Sequence, residues 1–128
     1  MARSTRAGVE VEGGPQLRRA FKKMGARASD LRRVNADVGQ VVLDRADTLV
    51  PRLSGELAAT GRVEAGVGGA RVTYGTIYAP PIMFGWRDRN IEPHPWLTDA
   101  LDDTRAEVVA RYEREVDSLV RRLDAEAP

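Results

Sequence analysis

Cysteine is absent from the 128-residue chain, which excludes disulfides, thiolate metal sites and a cysteine nucleophile in any compartment. Histidine occurs once, at His94, and no ligand spacing such as HExxH accompanies it, so no metal centre is expected. Apolar runs are only a few residues long, far below the roughly 18 needed to cross a bilayer. The opening MARSTRAGVEVEGG has no apolar stretch behind its arginines, so the expectation is a chain made and used in a soluble compartment, without secretion and without a membrane partner. Lysine is nearly missing as well. Lys22 and Lys23 are the only two, and every other cation is arginine, a bias that reflects GC-rich coding more than chemistry.

What is present suits one modest core. A length of 128 residues with 42% apolar content fits a single domain, 1–128. The formal net charge is only +1, but residues 1–33 hold nine arginines or lysines against three acids. A basic N-terminal third can face an anionic partner, either nucleic acid or the acidic face of a neighbouring subunit.

Periodicity divides the chain. Val9 and Val11 alternate with Glu10 and Glu12 before Gly13 and Gly14, the pattern of a half-exposed strand, so residues 1–14 read as an N-terminal arm or edge strand. From Pro15, apolar residues recur every three or four positions as far as Leu49, predicting a long amphipathic helix that ends before Pro51. Gly25 offers a break in it, with Ser29 or Asp30 to recap. Pro51–Thr60 reads as a turn and a short helical piece with Ser54 as N-cap. Arg62–Val67 and Ala70–Tyr74 read as two strands, with Gly68 and Gly69 supplying the positive φ of a hairpin turn. Apolar spacing from Trp96 to Leu123 predicts a second long helix, with 124–128 as a frayed tail. The expected fold is α+β: a small antiparallel sheet with a long N-terminal and a long C-terminal helix packed on one face.

Catalytic chemistry finds little to work with. His94 stands between Pro93 and Pro95, and no serine and aspartate declare themselves as partners, so no catalytic residue is named and no enzyme activity is expected. GVGGAR, residues 66–71, lacks the GK[ST] ending of a phosphate loop and precedes a strand. Asp99, Asp102, Asp103, Glu113 and Glu115 fall on a solvated helix face, the first three also complementing a helix dipole. Arg18, Arg19, Lys22 and Lys23 have two readings. They form the wet side of an amphipathic helix, or they contact phosphates and line a DNA channel. No cofactor is implied.

One segment concentrates rigid and aromatic residues. Residues 73–97, TYGTIYAPPIMFGWRDRNIEPHPWL, hold both tryptophans, four of the seven prolines and the histidine. LVPRLSGELAAT resembles the xxPxxTGxLxxS signature that follows the long helix in the gene-product-ten-like family, the neck or tail-component proteins that join head to tail in long-tailed bacteriophages. YAPPIMFGW is similar to that family's YAxxxEFGT or YAxxIHFGW loop, and IEPHPWLTDALDDTRAEVVARYEREV to its xPqPFLxpAl approach to a C-terminal helix. The three matches keep the family's order and cover residues 40–123, and VEVEGGPQLRRAFKKMG resembles its first strand and helix. Ser54 stands where threonine is usual, Met83 where glutamate or histidine is frequent, and Trp96 where phenylalanine is usual.

The resemblance implies a virion structural protein of the head-to-tail junction, assembled in the bacterial host cytoplasm. It implies a homo-oligomeric ring, sixfold or twelvefold, around the DNA channel, that meets neighbouring connector, stopper or tail-terminator proteins; non-specific contact with phage DNA is a separate expectation, drawn from the basic helix residues Arg18, Arg19, Lys22 and Lys23. Tyr78, Pro80, Pro81, Phe84, Gly85, Trp86, Pro95 and Trp96 are the subunit-interface candidates, since aromatic rings give large contact area at low entropy cost and prolines pre-order the backbone. For Phe84 and the tryptophans the competing reading is that they plug the protein's own core. From other classes, the alternatives are a small nucleic-acid-binding module and an assembly factor that stays outside the particle.

Overall fold

The computed structural model describes residues 7–13, 15–51, 55–76 and 79–126. Its elements run β1 (Ala7–Val11), α1 (Pro15–Lys23), α2 (Ala28–Leu49), a 3₁₀ turn (Ala58–Thr60), β2 (Arg62–Ala65), β3 (Ala70–Tyr74), α3 (Ala79–Phe84), a second 3₁₀ turn (Arg87–Arg89), α4 (Trp96–Asp103) and α5 (Arg105–Glu126). The architecture is α+β, a three-stranded antiparallel sheet carrying a long N-terminal and a long C-terminal helix.

The central strand is β3, in the order β1-β3-β2. Its register places Val72 opposite both Val9 and Val63, and Ala70 opposite Val11 and Ala65. Because side chains alternate along a strand, Ala7, Val9, Val11, Ala70, Val72, Tyr74 and Val63 share one face. Helix α2 packs on β2 and β3, and α4 packs on β1, closing that face into the core with Val38, Val42, Ala46, Leu97 and Ala100. The opposite face carries Glu10, Arg71, Arg62 and Glu64, exposed and ion-paired: Arg71 meets Glu10 across the strands at 2.6 Å, and Arg62 meets Glu64 along β2 at 3.1 Å. Both outer strands keep an edge without a strand neighbour among the described residues.

The predicted break in the first helix lies at the predicted place. Gly25 has φ +71°, and the amide of Ala26 donates to Phe21 O at 3.0 Å while that of Gly25 donates to Lys22 O at 3.1 Å, a Schellman ending for α1. Asp30 then accepts the Arg27 amide at 2.9 Å, satisfying one of the orphan donors at the start of α2. Ser29 lies within the first turn and caps nothing. The second long helix is also divided. Thr104 leaves helical geometry with φ −102° and ψ 4°, and its hydroxyl bonds back to Ala100 O at 2.7 Å, a local competition that bends helices. The helix continues through residues 124–126 to Glu126. The expected N-cap Ser54 lies outside the described residues.

One turn departs from expectation. Strand β2 stops at Ala65, the Gly66 amide donates to Gly69 O at 2.9 Å, and neither Gly68 nor Gly69 has positive φ. Gly69 is glycine because of proximity: a Cβ there would stand 2.5 Å from Val11 O. The hairpin tip presses on the end of β1, and this close approach replaces the φ requirement inferred from the dipeptide.

Candidate functional site

The proline-aromatic segment is built on α3. Pro80 and Pro81 occupy its first turn, where a missing N–H costs nothing, and the amide of Ala79 donates to Thr76 O at 3.1 Å. Six residues give α3 one inward side, Ala79 and Met83, both buried. Phe84 points the other way and is 66% exposed. Gly85 then turns the chain with φ +80°, a conformation that strains any L side chain, and a Cβ at this position would lie 2.9 Å from the Pro93 ring.

Beyond the turn, Trp86 and Ile91 exchange backbone hydrogen bonds of 2.9 and 3.0 Å, closing a small loop around Arg87–Arg89. The Arg89 guanidinium stands 5.3 Å from the half-buried Trp86 ring, within cation–π range. The His94 amide donates to Ile82 O at 2.7 Å. Its ring Nε2 donates to Leu49 O at 3.1 Å, tying the loop to the last turn of α2. His94 therefore has a structural contact, and no nucleophile or carboxylate is hydrogen-bonded to its ring among the described residues.

The interface candidates separate. Trp96 is 0% exposed and meets Tyr74 edge to face at 5.5 Å. Its ring is committed to the protein's own core and offers no contact area, so for this residue the core reading holds. Phe84 and Pro95 are exposed, whereas Pro80, Pro81, Gly85 and Trp86 are half-buried. Tyr78 lies outside the described residues.

A second surface is formed by α1. Leu17, Ala20, Phe21 and Met24 face inward, with the Phe21 ring 6.4 Å from that of Tyr112. Arg18, Arg19, Lys22 and Lys23 are exposed, and none has an ion-pair partner among the described residues. Several arginines elsewhere are matched. Along the antiparallel α2 and α5, Arg122 pairs with Asp30 at 3.0 Å, Arg33 with Glu115 at 2.7 Å and Arg111 with Asp37 at 3.0 Å, while Arg45 reaches Asp103 on α4 at 2.9 Å. Hydrogen bonds from Arg122 and the Arg27 amide hold the Asp30 carboxyl below its usual pKa. The hydrogen bond from Arg111 does the same for Glu107.

Sequence reasoning missed the buried polar junction between these layers. Asn35 is 4% exposed. Its amide donates to Gly66 O at 2.8 Å and Val67 O at 3.2 Å, and its carbonyl accepts the Tyr112 hydroxyl at 2.8 Å. One side chain thus joins α2, the hairpin tip and α5. Burial pushes the Tyr112 phenol up in pKa, with Glu12 adding to the effect, which keeps the donor proton in place. The available signal was a single amide inside the apolar stripe Leu31, Val34, Val38. Asp102 and Asp103, read from sequence as solvated, are exposed and also accept from Arg105 and Arg45, whereas Glu115 is half-buried against Arg33.

Among the described residues no group of three or more histidines and carboxylates converges as a metal site, and no helix is long and apolar enough to cross a membrane. A shallow groove of about 360 Å³ crosses the polar sheet face past Glu10, Glu12, Glu64 and Arg71. No protein-family model, curated protein or solved structure matches the chain.

Proposed function

We propose that this chain is a structural subunit of the head-to-tail connector of a long-tailed bacteriophage, forming a homo-oligomeric ring through the segment 79–95 and its strand edges. The observation that carries the reading is Phe84. An aromatic ring two-thirds in water, on a backbone fixed by Pro80, Pro81 and the Gly85 turn, is preorganised contact surface that needs little ordering on assembly. Trp86 lies half-buried two residues on, and Pro95 extends the exposed rim. The free edges of β1 and β2 add backbone donors and acceptors that a neighbouring copy can pair. Heterologous contacts of this kind generate closed rings when the rotation closes. The ring meets connector, stopper or tail-terminator proteins in the virion, after assembly in the host cytoplasm.

Imaging tailed particles of the same genome at subnanometre resolution tests the reading. Density for this chain in a ring between portal and tail tube is the expected result, with Phe84 against the next copy. An abundant protein in the lysate that is absent from the particle overturns it in favour of an assembly factor. In the same system Phe84→Ser is expected to abolish incorporation while leaving unfolding free energy within about 0.5 kcal/mol of the parent, because the ring is mostly exposed in the monomer.

A further inference from the structure

We infer that the outer face of α1 is a binding surface for the phosphate backbone of duplex DNA, held without regard to base sequence. Four cations, Arg18, Arg19, Lys22 and Lys23, project from nine residues of helix. They form two rows, Arg18 with Lys22 and Arg19 with Lys23, each spaced by about 6 Å along the axis, four residues at 1.5 Å. Arg27 follows at the elbow into α2. No guanidinium or ammonium of these five forms an ion pair with a carboxylate among the described residues, although the chain carries nearly as many acids as bases. Like charges one turn apart repel, so this clustering is relieved by an external polyanion.

The surroundings select the partner. α1 exposes no aromatic ring on which bases could stack, the feature of single-strand sites. Among the described side chains its outer face carries the four cations, and phosphate contacts made by such groups carry no sequence information. A membrane surface would need the apolar side of α1, but Phe21 is buried against Tyr112. A second copy of this chain would need an unmatched acidic face. The groove on the sheet face has its Glu10 matched by Arg71 and its Glu64 by Arg62, which leaves Glu12 alone among its described carboxylates to face four cations. The inference draws its setting from the connector reading, a ring through which DNA passes, but its test needs only the purified full chain.

Fluorescence anisotropy with short labelled duplexes of two unrelated sequences, titrated from about 50 to 200 mM salt, is the experiment. Equal affinity for both sequences is expected, with log affinity falling against log salt at a slope near −4, about 0.9 per phosphate neutralised. The variant R18Q/R19Q/K22Q/K23Q is expected to lose at least about tenfold in affinity at the lowest salt and to flatten the slope to about −1 or less. The variant R45Q/R105Q removes cations already matched by Asp103 and Asp102 and is expected to bind as the parent does. Circular dichroism checks that both variants keep the parental helix content. A parent that does not bind either duplex, or a quadruple variant that binds like the parent, overturns the inference. A salt-sensitive self-association by light scattering, lost in the quadruple variant and unaccompanied by duplex binding, overturns it in favour of a second copy. Absence of duplex binding beside a ring seen in particles removes this inference and leaves the connector reading standing. Duplex binding by a chain missing from particles does the reverse.

Discussion

Along α2 and α5, Arg33, Arg111 and Arg122 meet carboxylates across the helix pair and a buried amide is hydrogen-bonded on both sides, whereas on α1 four cations stand in water without ion-pair partners among the described residues and at Phe84 an aromatic ring is left exposed. The difference separates groups whose interactions are completed within the fold from groups whose interactions are left open. In the α2–α5 layer, removing a side chain leaves its partner unpaired. At the four α1 cations and at Phe84, removing one leaves the core of the monomer intact and subtracts from whatever it meets outside. Exposed ion pairs are worth little individually, so the ladder matters chiefly because it fixes register between two long helices and absorbs charges that would otherwise compete with α1 for an anion.

The comparison is broken most severely at Asn35. Asn35→Ala leaves two backbone carbonyls and the Tyr112 hydroxyl without partners in a buried junction and is expected to lower unfolding free energy by about 3 kcal/mol in urea titrations. A loss below about 1 kcal/mol would mean that water replaces the amide and that the junction is wetter than its burial suggests. Arg111→Ala comes next. It deletes the link to both Glu107 and Asp37, and the partly exposed setting limits the expected loss to about 0.5–1 kcal/mol, narrowing further in high salt.

A smaller effect is expected at Asp30, and it carries a pH signature. Its folded pKa is lowered by Arg122 first and the Arg27 amide second, so its contribution is complete above the unfolded carboxylate value near about 4 and is lost as pH falls through the lower folded value. Asp30→Asn should therefore be less stable than the parent at neutral pH, with the two converging in acid denaturation series. A gap that stays constant with pH would show that packing, not charge, is what the substitution removes. Smallest of all, the quadruple glutamine variant of α1 is expected to match the parent in stability within about 0.5 kcal/mol, while its duplex affinity collapses.

Much of the layout was legible because period is a local property. Val9 and Val11 alternate as a strand must, and the stripe through Val34, Val38 and Val42 repeats as a helix must. Gly25 announced a break that its positive φ requires. The turn at Gly68 and Gly69 was misread because a glycine pair looks the same whether it serves φ or proximity, and only the end of β1 pressing on Gly69 distinguishes them. Thr104 gave no warning, since a threonine within an apolar-periodic run breaks the helix only when its hydroxyl bonds back to the preceding turn.

The candidate surfaces divide in the same manner. Sequence alone determined that α1 would be amphipathic with Arg18, Arg19, Lys22 and Lys23 on one side, because helical spacing fixes which residues share a face. It also determined that aromatic and proline residues would gather between residues 73 and 97. Tertiary structure alone decided that Trp96 packs edge to face on Tyr74 while Phe84, twelve positions earlier, stands in water. It alone decided which arginines would find carboxylates, since Asp30 with Arg122, or Arg45 with Asp103, become neighbours only when helices distant in sequence pack together. Periodicity acts over a few residues of backbone, but burial and pairing depend on which surfaces the whole chain brings together.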